Sequence, residues 1–267
     1  MKNIAVIGYG ALGHILVDAI LEKLKEDYRL VGIFDQALEE KSIEAKGETI
    51  PLYESFDALL AGDTDIVVEI AGVGAVKEYV VPLLDAGKDV VITSVGALAD
   101  TALYDTIESA AKIAGRKVHI TSGAIGGFDL MRTFTLMGGV QSEIQSTKAP
   151  KSLNGAPYLN GKELPEDEKV VAFEGNATEA IKGFPKNTNV AVATGLTTAG
   201  ADATKVRIVS DPNSPGNTHR VTVENEKAKA VVEITSKPDP KNPKSSVTAA
   251  WSVAALLKNL ASPVQYF

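Results

Sequence analysis

The chain has no cysteine, which excludes disulfides, thiolate metal ligands and a cysteine nucleophile. Histidine is scarce as well, with three in 267 residues, so few side chains titrate unaided near neutral pH. No His, Asp and Glu cluster has metal-ligand spacing, so no metal is expected. No serine sits in a Gly-x-Ser-x-Gly elbow. No apolar run approaches the ~20 residues of a membrane helix. Lysine and arginine occur only as scattered residues or pairs, and the formal net charge is −7. Nucleic acid and anionic membrane are therefore poor partners, since both need clustered cations. The opening "MKNIAVIGYG" stops its apolar run at glycine. It reads as a first strand and not as a signal peptide, and the cytoplasm is the expected location.

What is present is ordinary globular composition, 45% hydrophobic and 23% charged. Over residues 1–122, short Val/Ile-rich runs at 3–8, 29–35, 65–71, 89–94 and 117–122 alternate with helix-like segments at 11–25, 37–46, 53–61, 74–86 and 101–114. Runs apolar on both faces are the mark of buried parallel strands. The alternation predicts an α/β fold with a doubly wound parallel sheet. After residue 123 the texture changes. Residues 123–140 are Gly-rich and then helix-like, and 140–150 read as an exposed strand. Helices are expected at 174–185 and 189–202, strands at 205–211 and within 219–238, and a loop at 238–246. A last helix over 245–261 has Ser245 or Ser246 as its cap and is expected to pack back on the first domain. The expected division is a dinucleotide-binding domain, 1–122, and an α+β substrate and dimerisation domain, 123–244, with an open mixed sheet.

"IAVIGYGALGHI" carries the G-x-G-x-x-G pattern between a strand and a helix, which makes the first domain Rossmann-type. Gly8 permits the tight turn, Gly10 allows the backbone close to a pyrophosphate, and Gly13 lets the helix pack on the strand. Gly8, Gly10, Ala11, Leu12 and Gly13 are thus candidate cofactor contacts, at a helix N-terminus whose free N–H groups suit phosphate. Asp35 closes the second strand, where a carboxylate accepts from ribose hydroxyls and repels a 2′-phosphate. NAD is the expected cofactor, with NADP possible. His14 follows the loop and reads as packed or solvent-exposed. His119, mid-strand, reads as a core or interface residue.

Four segments, "SVGALAD" (94–100), "TSGAIGGFD" (121–129), "FPKNTNVAVAT" (184–194) and "DPNSPGNTHRVTVE" (211–224), together resemble the L-aspartate dehydrogenase family, as does "NPKSSVTAAWSVAALLKNL" (242–260). The resemblance implies interconversion of L-aspartate with iminoaspartate, or oxaloacetate plus ammonia, using NAD or NADP. It implies His219 as the catalytic acid/base, and Ala124 and Asn189 as contacts to the nicotinamide end. It also implies a homodimer, and a supply of iminoaspartate to NAD biosynthesis in some members. Ile70 and Gly72 depart from the family's commoner "EAAS" ending.

The residues themselves allow more than one reading. His219 could be a solvated turn histidine, although a group of pKa near 6.5 suits proton transfer to and from an amine. Asn187 or Asn189 could be a helix cap. A dicarboxylate needs a cation, and Lys148, Lys151, Lys186, Arg132 and Arg220 are candidates, with Lys148 preferred. Asn217 and Thr218 flank the histidine and are candidate substrate contacts. Another amino-acid or hydroxy-acid dehydrogenase on this architecture is one alternative, and a non-catalytic NAD(H) sensor is the other.

Overall fold

A computed structural model describes residues 1–237 and 246–266. The chain divides into two compact units, residues 1–121 with 249–267, and residues 122–248. The loop expected at 238–246 and a cap at Ser245 lie outside the described residues, Ser246 excepted.

The first unit runs β1 (Lys2–Ile7), α1 (Ala11–Lys23), β2 (Tyr28–Phe34), β3 (Ser42–Ala45), β4 (Glu48–Pro51), α2 (Phe56–Ala61), β5 (Ile66–Glu69), α3 (Val73–Asp85), β6 (Asp89–Ile92), α4 (Thr101–Ala114) and β7 (Val118–Ile120). Its five-stranded sheet has the order β2-β1-β5-β6-β7, and every pairing is parallel. This is the doubly wound sheet read from the sequence. β5 is buried along its whole length, as a strand covered on both faces must be. Chain order reverses at β1, whose neighbours are β2 and β5. The crevice beyond the carboxyl ends of such strands is where ligands gather. A later helix, α9 (Val247–Ala261), contributes Val253, Ala254 and Leu257 to the cluster of Ile4, Val6, Leu16 and Ile20. Tyr28 Oη anchors it by donating to Leu257 O at 2.8 Å.

The helix expected at 37–46 is absent. Ser42–Ala45 instead pairs with Glu48–Pro51 as a hairpin. Lys46 and Gly47, both at positive φ, make the tight turn that favours a hairpin over helical propensity.

The second unit runs α5 (Phe128–Met137), β8 (Gln141–Lys148), α6 (Pro150–Leu153), β9 (Val170–Asn176), α7 (Ala177–Gly183), α8 (Asn189–Thr197), β10 (Lys205–Ser210), β11 (Asn217–Glu224) and β12 (Lys229–Ser236). Its mixed sheet has the order β12-β11-β8-β10-β9. β8 and β10 are parallel and the other pairs antiparallel. Two expectations are corrected here. Residues 170–176 form a strand, so α7 begins only at Ala177, where Asn176 and Glu179 form a capping box. And 141–148 is the central strand, not an exposed one, with Ser142, Ile144, Ser146 and Lys148 all buried. α8 is helical despite its threonines, and the buried hydroxyls of Thr194, Thr197 and the capping Thr198 are satisfied on carbonyls one turn back.

Candidate active site

In the first unit the glycine loop is built as its spacing demands. A side chain on Gly13 would collide with the Gly8 carbonyl oxygen, so only glycine lets α1 start this close to β1. Gly8 has a φ of +100°, and a Cβ there would lie 2.8 Å from the Ala71 backbone. Gly10, by contrast, faces open space with nothing within 4 Å. It caps α1 without any side-chain hydrogen bond. That leaves helix N–H groups for an anion and a clear approach for it, so the residues present fit a dinucleotide pyrophosphate.

Asp35 is held against the loop. One carboxylate oxygen accepts from Tyr9 N at 2.6 Å, and the other accepts from Ala37 N at 2.9 Å. A cavity of about 430 Å³ is lined by Gly8, Phe34, Asp35, Ala71, Gly72 and Tyr79. Ala11 opens α1 and is exposed, while Leu12 is half-buried. His14 is exposed, its ring centroid 3.8 Å from that of Tyr9.

Glu69, which drew no attention in the sequence, ties this crevice together. It is fully buried at the end of β5. Its carboxylate accepts from Ala71 N, Gly72 N, Ser94 N and Ser94 Oγ at 2.8–3.0 Å. Burial pushes the carboxyl above the usual range, against four donors that favour its charge. Gly72, one of the two departures, supplies one of those donors through its backbone N–H, a contact any residue but proline could make.

The second unit gathers a polar cluster on the buried face of its sheet. His219 is 3% exposed, Ser146 3%, Lys148 7% and Ser210 0%, so a solvated turn histidine is ruled out. Register explains the gathering. His219 pairs across strands with Ser146, and Ser210 with Lys148. Side chains of paired residues share a face. Ser146 Oγ and His219 Nδ1 lie 2.8 Å apart in a hydrogen bond. Burial, and then the charge of Lys148, push the His219 imidazole down to about 3, so the ring is held neutral. Burial likewise brings the Lys148 ammonium down to about 8. Among the described residues no carboxylate pairs with that ammonium, and the buried Ser210 hydroxyl has no partner either. A buried cation without a partner anion is costly, which suits a site that receives an anion.

Other predicted residues fall around this cluster. A Cβ on Gly126 would touch Ile234, the cross-strand partner of His219, and one on Gly123 would touch Val190. The 122–127 segment, with buried Ala124, and half-buried Asn189 at the start of α8 therefore lie in the same neighbourhood. Asn217 opens β11 beside a cavity of about 360 Å³ shared with Lys151 and Gly216. Thr218 is not brought in. It points to the opposite face, where its hydroxyl bonds Thr235 at 2.9 Å. Arg220 also faces outward and pairs with Glu233. Arg132, Lys151 and Lys186 are exposed, so of the five cation candidates only Lys148 is buried.

Residues 129–260 match the family model described as aspartate dehydrogenase, C-terminal, and residues 8–121 match that of the homoserine dehydrogenase NAD binding domain. The chain is 35% identical to the L-aspartate dehydrogenase of Methanocaldococcus jannaschii, over 99% of each chain. It is 37% identical to that of Methanosarcina acetivorans, again over 99% of each. The chain belongs to the L-aspartate dehydrogenase family. Its fold matches the crystal structure of aspartate dehydrogenase from Thermotoga maritima with a TM-score of 0.78 at 29% identity, over all of both chains. A homoserine dehydrogenase from Staphylococcus aureus, at 15% identity and a TM-score of 0.57, shares the fold alone. Membership of the L-aspartate dehydrogenase family makes the chain an NAD(P)-dependent amino-acid dehydrogenase. Among the described residues no helix is long and apolar enough to cross a membrane.

Proposed function

We propose that the chain oxidatively deaminates L-aspartate to iminoaspartate, which hydrolyses to oxaloacetate and ammonia, and that it catalyses the reverse amination. The observation that carries this reading is a buried neutral His219 on the same sheet face as the buried cation Lys148, with which no carboxylate pairs among the described residues. A bound nicotinamide cofactor supplies the acceptor for the hydride that leaves the substrate α-carbon.

The first unit is the dinucleotide-binding domain, with Gly8, Gly10, Ala11, Leu12 and Gly13 at the pyrophosphate and Asp35 at the adenosine ribose. Because the Asp35 carboxylate stands against the loop, where it would repel a 2′-phosphate, NAD is preferred over NADP. The second unit is the substrate and dimerisation domain, and Ala124 and Asn189 receive the nicotinamide end. Lys148 holds a substrate carboxylate, with Asn217 assisting. A dicarboxylate brings negative charge next to Lys148, and this raises the proton affinity of His219. His219 Nε2, the ring nitrogen left over by Ser146, then takes the proton of the substrate ammonium as the imine forms. In the reverse direction it returns that proton. General acid–base help of this kind contributes about 10²–10⁴-fold. A homodimer and a cytoplasmic location belong to the same proposal, and sedimentation of the purified chain tests the first.

The deciding experiment is NAD reduction measured with L-aspartate, D-aspartate, L-homoserine and L-glutamate, on the wild type and on His219→Ala. L-aspartate is expected to be the preferred substrate. The variant is expected to lose turnover on the order of 10²-fold or more with NADH affinity intact. A fully active His219→Ala enzyme removes the acid/base assignment, and no turnover on any substrate removes the enzyme reading.

A further inference from the structure

Ser146 and His219 are direct partners on neighbouring antiparallel strands, flanked by the pairs Thr147–Thr218 and Gln145–Arg220. Both sit in the interior of the sheet, because β8 is bordered by β10 and β11 is bordered by β12. Their backbones therefore hold the two side chains in register, and among the described residues the 2.8 Å contact from Oγ to Nδ1 is the only side-chain hydrogen bond of either residue. A neutral imidazole carries one N–H. Which nitrogen carries it is set by the partner of the other nitrogen.

We propose that Ser146 is a positioning residue for the dehydrogenase reaction: its Oγ accepts from the His219 Nδ1–H, fixing the ring and leaving the Nε2 lone pair for the reacting amine. The inference rests on the acid/base reading of His219. The opposite tautomer would place a proton on Nε2, where none can then be accepted. When Nε2 takes a proton, Nδ1–H is unchanged and its bond to Ser146 persists, so the step needs no rearrangement of the ring. The charge on Lys148 bears on how readily the ring is protonated. Ser146 bears on where the proton sits.

The test compares Ser146→Ala and Ser146→Thr with the wild type, reading kcat, KM for L-aspartate, NADH dissociation constant and the ¹⁵N shifts of the His219 ring. With three histidines, His219→Ala assigns the ring signals by difference. Ser146→Ala is expected to lower kcat about 10–100-fold, the range seen when a metal-bound histidine loses the partner that orients its ring. KM and NADH affinity stay near wild type. The wild-type ring shows the Nδ1–H tautomer, and the variant shows a mixture. Ser146→Thr, which keeps a hydroxyl, recovers most of kcat. A Ser146→Ala enzyme with wild-type kcat, a wild-type ring in the Nε2–H form, unchanged ¹⁵N shifts in the variant, or a folded Ser146→Thr as slow as Ser146→Ala would each overturn the proposal. If Ser146→Ala stays fast while His219→Ala is inactive, only the role of Ser146 fails. If His219→Ala is active, the catalytic reading itself fails.

Discussion

Replacing Lys148 with methionine should stabilise the protein while disabling it. Met is unbranched and close in length, so it fills the same space without a charge. The fall of the Lys148 ammonium from its ordinary 10.5 to about 8 is caused by burial alone. At about 1.36 kcal/mol per pH unit, keeping that lysine charged at pH 7 costs the folded state about 3 kcal/mol. Removing it is expected to raise Tm by on the order of 6–10 °C for a chain this long. The sign of the pH dependence follows from linkage. Between pH 8 and 10.5 the unfolded chain binds a proton that the folded chain does not, so wild-type stability rises with pH across that window. Below pH 8 the penalty is complete. The gap between variant and wild type is therefore largest at neutral pH and shrinks through pH 8 to 10.5. On the proposed role of Lys148, activity moves the other way, because the substrate carboxylate would lose its buried cation. The expected loss in kcat/KM is on the order of 10²-fold or more. Urea unfolding at pH 7 and pH 10, with initial rates on L-aspartate, checks both halves. A Lys148→Met protein less stable than wild type at pH 7, or a gap independent of pH, would refute the electrostatic argument. Unchanged kcat/KM would refute the substrate role.

The glycine loop makes a contrasting pair of predictions. Gly10→Ala meets open space and should keep wild-type Tm while weakening NADH binding, read by fluorescence titration. Gly13→Ala strikes the Gly8 carbonyl and should lower both stability and affinity. Asp35→Ser removes the carboxylate that faces the loop. The ratio of kcat/KM for NADP over NAD should rise by about tenfold (about 1.4 kcal/mol) or more, and an unchanged ratio would show that Asp35 does not select the cofactor. Glu69→Gln sets an amide N–H among four donors. Replacing one acceptor oxygen with an NH2 group leaves at least one of those donors unmatched, which should cost about 1–3 kcal/mol and weaken NADH binding, whereas wild-type values for both would mean the carboxylate does not shape the crevice.

Some features were legible because their cause is local. Three glycines between a strand and a helix are a short-range constraint, and the clash of a Cβ at Gly13 with the Gly8 carbonyl is met within the same turn. The parallel sheet was legible because Val/Ile runs apolar on both faces leave few alternatives. Residues 37–46 were misread because their helix-forming composition competes with a two-residue turn at Lys46–Gly47, and turn geometry won. β8 was misread for a deeper reason. Alternation along "QSEIQSTK" shows that the strand has two faces but not which one is buried. The buried face here carries Ser142, Ser146 and Lys148, with Ile144 the only apolar residue.

By itself the sequence determined the α/β class, the glycine loop between strand and helix with Asp35 after the next strand and, through family likeness, His219 as the residue to examine. The tertiary structure decided what surrounds that histidine. Cross-strand register places Ser146 on its Nδ1 and the Lys148 charge beside it, and alternation turns Thr218 away, although Thr218 is its neighbour in sequence. Glu69 likewise acquires its role from Ser94, a residue 25 positions away. Burial, hydrogen-bond partners and shifted proton affinities arise from contacts between strands distant in sequence. Residue types and spacing along one chain do not carry that information, because pairing register is settled only when the sheet closes.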